Sequence, residues 1–482
     1  MNALMHLSQL ASWLAPAQQV GWSPNTATIC IDRVHTDTRS ITPGDLFVAL
    51  RGERFDANDF LAEARAQGAV AAICQGDGAA DKLAKAGLPG LVVSDARLAL
   101  AQLATRHRAQ FSLPVIGVTG SNGKTTVTQM IASILRAWQG DAALATQGNL
   151  NNDIGVPLTV LRLTQAHQVA VVELGMNHPG EIAVLSSIAQ PTVALVNNAQ
   201  REHLEFMQTV AAVAQENGAV ISALPADGIA VFPADDAFSA AWAELAGSRK
   251  VLRFSAHQQP ASDVFALQTD WVGAAWQVQA VTPAGALRYT LHIAGAHNVK
   301  NSLAAMACAL SAGVPLPIIG QGLAAFEPVK GRSRALQITH QGRSITLVDD
   351  SYNANPDSVR AAMDVLAALP GPRLLVLGDM GEVGDQGPQF HTEALDYAQA
   401  KNIEKVLVAG IQSAQAAINF ESIKAFSDFT DIEAAALAAL PEVASVLVKG
   451  SRFMKMERVV QALVAATTQE TSATRDHGSV LC

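Results

Sequence analysis

Charge, cysteine and long apolar runs are all scarce in this chain, and each shortage narrows what it can be. Only 16% of its 482 residues are charged, and 33 basic residues face 42 acidic ones, a net charge of −9. A surface of that sign offers no general footing for nucleic acid, although a local basic site stays compatible with it. The four cysteines, Cys30, Cys74, Cys308 and Cys482, are widely scattered and form no CxxC pair. That excludes a disulfide framework and fits a reducing compartment. No stretch approaches the roughly 18 consecutive apolar residues of a membrane span. The opening residues, MNALMHLSQLASWLAPAQQV, lack a basic start and interrupt their apolar positions with Ser and Gln. They predict an amphipathic helix rather than a signal peptide. Solenoid-period repeats and low-complexity tracts are also missing, and the expectation is a soluble cytoplasmic protein.

What the chain does have is apolar material, 49% of its residues, and a length that suits two to four domains. Up to about residue 112, short strands (DLFVALRG, AVAAICQ, GLVVSD) mix with helices such as DFLAEARAQGA. Pro114 marks a boundary. From 113 to 326, PVIGVTG, VAVVELG and TVALVNN are buried-strand candidates, each followed by a helical segment. Such units predict a parallel sheet covered by helices. Within that region KVLRF, DVFALQTDWVGAAWQVQAV and LRYTLHIAG alternate in the manner of antiparallel strands. From 327 to 482, SITLVDD, RLLVLGD, EKVLVAG and SVLVKG alternate with helix-like stretches, a second doubly wound α/β unit. The polar end, QETSATRDHGSV, is expected to be a loose tail.

The chemistry concentrates in GVTGSNGKTT, Gly117 to Thr126. A buried strand precedes it and a helix follows, the context of a phosphate-cradling loop, although Gly117 lies one residue upstream of the usual position. Gly120 and Gly123 let backbone approach an anion closely, and the amides of residues 121–126, among them Ser121, Asn122 and Thr126, can point inward. Lys124 supplies a cation for the β- and γ-phosphates, and the Thr125 hydroxyl a ligand for Mg²⁺. A nucleoside triphosphate is the expected ligand. Glu173 ends the strand VAVVELG at the sheet edge facing the same crevice; it either helps to hold Mg²⁺ or is solvated. His203 follows the next strand, as a metal ligand, a base, or a partner of its neighbours Glu202 and Glu205.

GVTGSNGKTT, VELG and NNAQREHLEF, in this order and spacing, resemble the Mur ligase superfamily of ATP-dependent amide-bond-forming enzymes. The segments DTRSITPGDLFVALRGERFDANDF, QGNLNNDIGVPLTVL, VDDSYNANPDSVRAAM, LGDMGEVG and VKGSR extend the resemblance over residues 30–465. They point to the branch that joins D-alanyl-D-alanine to UDP-N-acetylmuramoyl-tripeptide, a cytoplasmic step of peptidoglycan synthesis. The resemblance implies three domains: an N-terminal one for the UDP-sugar, a central one for ATP, and a Rossmann-like C-terminal one that closes over ATP and dipeptide. It implies ATP and Mg²⁺, an acyl-phosphate intermediate on the tripeptide, and a monomer without nucleic-acid or membrane partners. By position, Lys124, Glu173 and His203 would be catalytic, with Asn301, Arg332 and Asp350 also on ATP. Arg39 and the loop from Arg51 to Asn58 would lie near the uridine diphosphate. Thr146, Asn149, Asn151 and Asn152 would line the path of the muramoyl peptide, and Tyr352, Asn353 and Asn355 would stand near the dipeptide. For these last two groups turn formation is an equally ordinary use of Asn.

One position departs from the family pattern. Where these ligases carry a lysine modified to a metal-binding carbamate, this chain has Asn217. Asn cannot be carbamylated, so the expectation is that Asn217 joins Thr125, Glu173 and His203 as a metal ligand through its amide oxygen or a water, with Glu216 compensating. Three other readings stay open at this level: a related ligase adding a single amino acid, an ATPase switch or motor, and a nucleotide-sugar-binding protein that has lost activity.

Overall fold

Runs such as VIGVT, VAVVE and VALV are apolar at every position, as strands must be when helices cover both faces of a sheet. In the computed structural model, which describes residues 3–15, 17–52, 55–272 and 275–476 (side chains of 468–476 excepted), these runs form the middle of a nine-stranded sheet. Its order is Ala143–Ala145, Val169–Glu173, Val115–Thr119, Val193–Val196, Ile229–Pro233, Lys250–Ser255 and Val264–Val272, each parallel to its neighbours, then Ala275–Thr282 and Gly285–Leu291 antiparallel. Lys250–Ser255, expected to be antiparallel from its alternation, is therefore parallel on both edges. Alternation reports which face is covered and says nothing of direction.

Val115–Thr119 comes early in the chain yet lies between Val169–Glu173 and Val193–Val196. The connections leave it in opposite directions, which opens a crevice at the carboxyl ends of the strands. Those ends are level: Glu173 pairs with Val118, and Val196 with Thr119. The helix Lys124–Gln139 then packs against Ala296–Ser311 and Leu316–Ala324 in one apolar cluster that includes Met130, Ile134, Leu303 and Leu323.

The N-terminal sheet runs Gln18–Val20, Gly90–Val93, Ala71–Gln75, Asp45–Val48, Arg33–His35, with only the first strand antiparallel. The expected opening helix is shorter than its segment, Leu7–Trp13 after a brief strand. Leu100 and Leu103 of the helix Ala96–Arg108 share a core with Val156 and Leu185 of the central unit, so these two units are joined by buried apolar surface. The C-terminal sheet pairs Arg334–His340 antiparallel with Arg343–Asp350, followed by Ser445–Lys449, Arg373–Gly378, Lys405–Ala409 and Ile423–Phe426 in parallel. Its seam with the central unit mixes apolar packing, in which Ala294, Leu204 and Trp271 of the central unit join the C-terminal core, with polar contacts. Arg201 holds Asp357 at 2.6 Å and Glu393 at 3.1 Å, and Asn355 donates to Asn122 at 2.9 Å. The final helix, Glu457–Asp476, corrects the loose-tail expectation for residues 469–476, because polar composition without Gly or Pro does not stop a helix; residues 477–482 lie outside the described residues.

The helices Leu316–Ala324 and Lys124–Gln139 meet closely at Gly322, where an added Cβ would overlap the backbone of Ile134. Gly322→Ala is expected to cost about 1–3 kcal/mol by forcing these helices apart, measurable as a lower denaturant midpoint; an unchanged midpoint would mean the pair slides freely.

Candidate active site

The off-register glycine is a packing residue. Gly117 lies within its strand, and a Cβ there would stand 3.1 Å from Pro191. The loop's special backbone falls to Gly120, φ 131°, and Gly123, φ 81°. A side chain at Gly120 would meet Asn197 at 3.0 Å, and one at Gly123 would meet Asn197 and Asn301 at 2.8 Å. Asparagines thus fit against the bare backbone and hold it. Asn122 donates its N–H to Asn198 Oδ1 (2.8 Å), while Asn197 and Asn198 donate their amides to the Asn122 carbonyl at 2.8 and 3.0 Å. Ser121 N–H donates to the Asn198 carbonyl. The first-turn amides of the helix starting at Lys124 lack intrahelical acceptors, and Ser121 to Thr126 line a cavity of about 1600 Å³.

Lys124 Nζ is held by the carbonyls of Gly120 (2.6 Å) and Ser121 (3.1 Å) and by Glu202 Oε1 (2.7 Å). Beside it Glu173 is 2% exposed. Its Oε1 accepts from Thr125 (3.1 Å) and Asn151 (2.8 Å), while its Oε2 is buried without a partner. A carboxylate oxygen left in that condition is costly unless a cation completes it, and carboxylate plus hydroxyl oxygens suit a hard ion such as Mg²⁺. The residues present therefore fit that ion. His203 adopts a left-handed backbone, φ 50°, and its ring is flanked by Glu202 (3.4 Å from Nε2) and Glu382 (2.6 Å from Nδ1). Burial works against charge on the imidazole, but the two carboxylates outweigh it and raise its pKa to about 9. In this arrangement the ring is an imidazolium near neutrality, so binding a metal would require it to release a proton.

The C-terminal unit supplies the opposite wall. Arg332 donates to the Thr125 hydroxyl at 3.3 Å and stacks on Tyr352, whose ring centroid is 4.1 Å away. Asp350 accepts from Ser333 and pairs with Lys449 at 2.6 Å; Lys449 also donates to the Asn353 carbonyl. Asn355 caps the helix Pro356–Ala367 through Ser358 while reaching Asn122, so turn formation and contact with the loop coexist in one side chain. Asn301, Arg332, Asp350, Tyr352, Asn353 and Asn355 all line the cavity, as do Asn149, Asn151 and Asn152.

Other expected residues lie elsewhere. Asn217 is corrected: it is fully buried behind the loop, and its Oδ1 accepts from the Thr119 hydroxyl (2.7 Å) and the Gly120 N–H (3.1 Å). With that oxygen engaged in bracing the loop and outside the cavity, it does not serve as a metal ligand. Glu216 does not compensate, since its oxygens accept the N–H groups of Gly180 and Ile182. Thr146 is also corrected: it is buried behind the strand, its hydroxyl accepting from the Glu173 N–H at 2.9 Å, and it lines no path. Arg39 is exposed and paired with Asp37, Arg51 bridges to Asp56, and Asn58 donates to the Gln75 carbonyl; none of the three borders the central cavity. Residues 53 and 54 of the expected uridine-diphosphate loop lie outside the described residues. Among the described residues, no group of three or more His, Cys, Asp or Glu side chains stands ready to hold a metal.

Family models match this architecture in three segments: the Mur ligase family catalytic domain over residues 31–108, the Mur ligase middle domain over 118–309, and the Mur ligase glutamate ligase domain over 334–452. The UDP-N-acetylmuramoyl-tripeptide–D-alanyl-D-alanine ligase of Escherichia coli is 44% identical over 439 residues, 91% of this chain and 94% of that protein. The chain belongs to the Mur ligase family. Among solved structures, MurF from Acinetobacter baumannii superposes with a TM-score of 0.84 at 35% identity, covering 95% of this chain and 98% of that one. MurF from Thermotoga maritima in complex with ADP gives 0.79 at 26% identity, covering 91% and 98%.

In this Mur ligase the site contains residues that motif reading passed over. Asn197 and Asn198 shape the loop, and the signal for them was an Asn pair placed directly after a buried strand at the switch point. Arg201, Glu382 and Lys449 lie within the segments NNAQREHLEF, LGDMGEVG and VKGSR, but nothing local points to their contacts, because their partners are 96 or more residues away in sequence. Asn217→Ala adds no bulk and removes the acceptor shared by Thr119 and Gly120. It is expected to destabilise the protein by about 1–3 kcal/mol and to weaken nucleotide binding, read by chemical denaturation and by titration with ADP. Full stability with unchanged ADP affinity would show that the loop holds its shape without this brace.

Proposed function

We infer that this protein is an ATP-dependent ligase that adds D-alanyl-D-alanine to UDP-N-acetylmuramoyl-tripeptide, a step in peptidoglycan synthesis. The observation that carries the reading is the continuity of one cavity. It runs from the loop amides and Lys124 past Glu173 and Asn151 to the C-terminal wall of Arg332, Asp350 and Tyr352. A pocket for one small ligand needs about 300–1,000 Å³, so this one has room for a nucleotide and a second reactant together. That residues of both ends line one cavity fits direct transfer of a phosphoryl group to a bound carboxylate.

The chemistry follows from what the lining residues can do. A carboxylate is a poor electrophile at neutral pH, and phosphorylation supplies a leaving group that an amine can displace. The first-turn amides of the helix that starts at Lys124, and Lys124 itself, would hold the β- and γ-phosphates, with Lys124 exchanging Glu202 for phosphate oxygen. Arg332, with no carboxylate within ion-pair distance among the described residues, is free to meet the charge that develops on transfer. Thr125 and Glu173 would hold Mg²⁺, which when bound neutralises phosphate charge. Asn301 would contact the base and Asp350 the ribose, while Asn149, Asn151 and Asn152 would orient the muramoyl peptide and Tyr352, Asn353 and Asn355 the dipeptide. Arg39, Arg51 and Asn58 would meet the uridine diphosphate on the N-terminal unit, at the far end of an extended substrate. No nucleophilic side chain is needed, since the carboxylate and the amine come from the two substrates.

Phosphate release is expected only when UDP-N-acetylmuramoyl-tripeptide, D-alanyl-D-alanine and ATP are all present; release that ignores the omission of both acceptors would sink the ligase reading. Lys124→Ala is expected to lower turnover by at least about 10²–10³-fold, the scale of losing one charge-stabilising donor. A variant with undiminished turnover would move the phosphate site away from this loop.

A further inference from the structure

Arg97 stands where helix electrostatics disfavour it. It lies in the first turn of the helix Ala96–Arg108, where the macrodipole repels a cation. Its Nη1 donates to Asp153 Oδ2 at 3.0 Å, across the boundary between the N-terminal and central units. The two side chains are 51% and 43% exposed, and both residues border the central cavity. The boundary does not need them as a fastener. Leu100, Leu103, Val156 and Leu185 already join these units in one buried core, and a half-exposed ion pair adds little to that. Among the described residues neither side chain has another polar partner, so the other N–H groups of Arg97 and the second oxygen of Asp153 are available to a ligand.

We propose that Arg97 and Asp153 together read the third residue of the acceptor tripeptide. They select a side chain that ends in an α-amino acid zwitterion, as meso-diaminopimelate does, over one that ends in an ammonium alone, as L-lysine does. The inference rests on the ligase reading above and deepens it. The carboxylate to be phosphorylated belongs to that third residue and must come near Lys124 and Glu173. Asn151 donates to Glu173 at 2.8 Å. Asp153 is two residues further on, at most about 7 Å of chain, a reach comparable to the methylene chain of such a side chain. In a zwitterion the ammonium and carboxylate share one carbon through bonds of about 1.5 Å, which sets the charges roughly 3 Å apart. The 3.0 Å spacing of Arg97 and Asp153 matches it, carboxylate to guanidinium and ammonium to carboxylate. A lone ammonium would satisfy Asp153 but stand beside the Arg97 cation and leave that cation without an anion. Arg97 therefore supplies the discrimination. A second exposed pair bordering the cavity, His178 with Glu181, is otherwise engaged. Glu181 Oε2 accepts the N–H groups of Asn177 and His178, and the His178 ring packs on Phe206.

The test compares two acceptors, UDP-N-acetylmuramoyl-tripeptide ending in meso-diaminopimelate and the same molecule ending in L-lysine, on the full chain. Phosphate release with ATP and D-alanyl-D-alanine gives kcat and KM, and calorimetric titration of each acceptor without ATP gives affinity independent of turnover. The wild-type protein is expected to prefer the diaminopimelate acceptor by roughly tenfold or more, the scale of one hydrogen-bonded charge. Arg97→Gln should erase that preference by raising KM for this acceptor while the lysine acceptor binds as well as before or better. Asp153→Asn should weaken both, since each offers an ammonium. Thermal unfolding of the variants checks that each is folded. Three results would overturn the proposal: a wild-type protein that does not distinguish the acceptors, an Arg97→Gln variant that loses both alike, or an Asp153→Asn variant that loses neither. A binding preference without turnover on either acceptor would instead count against the ligase reading and leave the pair as a zwitterion reader.

Discussion

A loop built on glycines has few side chains of its own to fix its shape, so its neighbours must fix it. Here the neighbours are asparagines from the next strand end and from the helix behind it. Asn197, Asn198 and Asn217 satisfy the amides and carbonyl of Gly120 to Asn122, and the glycines at 120 and 123 leave the room those side chains fill. An amide side chain is suited to this because it donates and accepts at once and carries no charge to compete with the ligand. Every other feature of the site is placed relative to that cradle: Glu173 on one adjoining strand end, Glu202 and His203 beyond the other.

The two seams of the molecule differ in their balance of apolar and polar contact, the second adding charged and amide contacts to the packing of Ala294, Leu204 and Trp271. The N-terminal and central units share a continuous apolar core, which favours one fixed arrangement. The C-terminal unit meets the loop through ion pairs and amides: Arg201 with Asp357 and Glu393, Asn355 with Asn122, Glu382 with His203. Contacts of that kind can be exchanged for water or ligand at small net cost. Such a division suits an enzyme that must hold a long substrate at one end and open to admit small ones at the other.

Charge inside the cavity is organised in pairs. Lys124 has Glu202, Lys449 has Asp350, and Lys300 has Asp235. The first two pairs keep a largely buried ion from standing alone, while Lys300 and Asp235 are partly exposed. Two carboxylate oxygens, one on Glu173 and one on Glu202, remain unsatisfied, and they lie on opposite sides of the loop lysine.

Much of this was legible in the amino-acid order. Short apolar runs marked the parallel strands, Gly120, Gly123 and Lys124 marked a glycine loop at the cavity, and Glu173 and His203 were identifiable as strand-end groups facing one crevice. These features are local, set by steric freedom, burial and spacing within a few residues. Sequence could not tell that Lys250–Ser255 runs parallel, that Asn217 and Thr146 point behind the site, or that Arg201 and Glu382 join it. Direction of pairing and the meeting of residues far apart in the chain depend on how sheets twist and units pack. Only the tertiary structure decides which side of a strand or helix ends up facing the ligand.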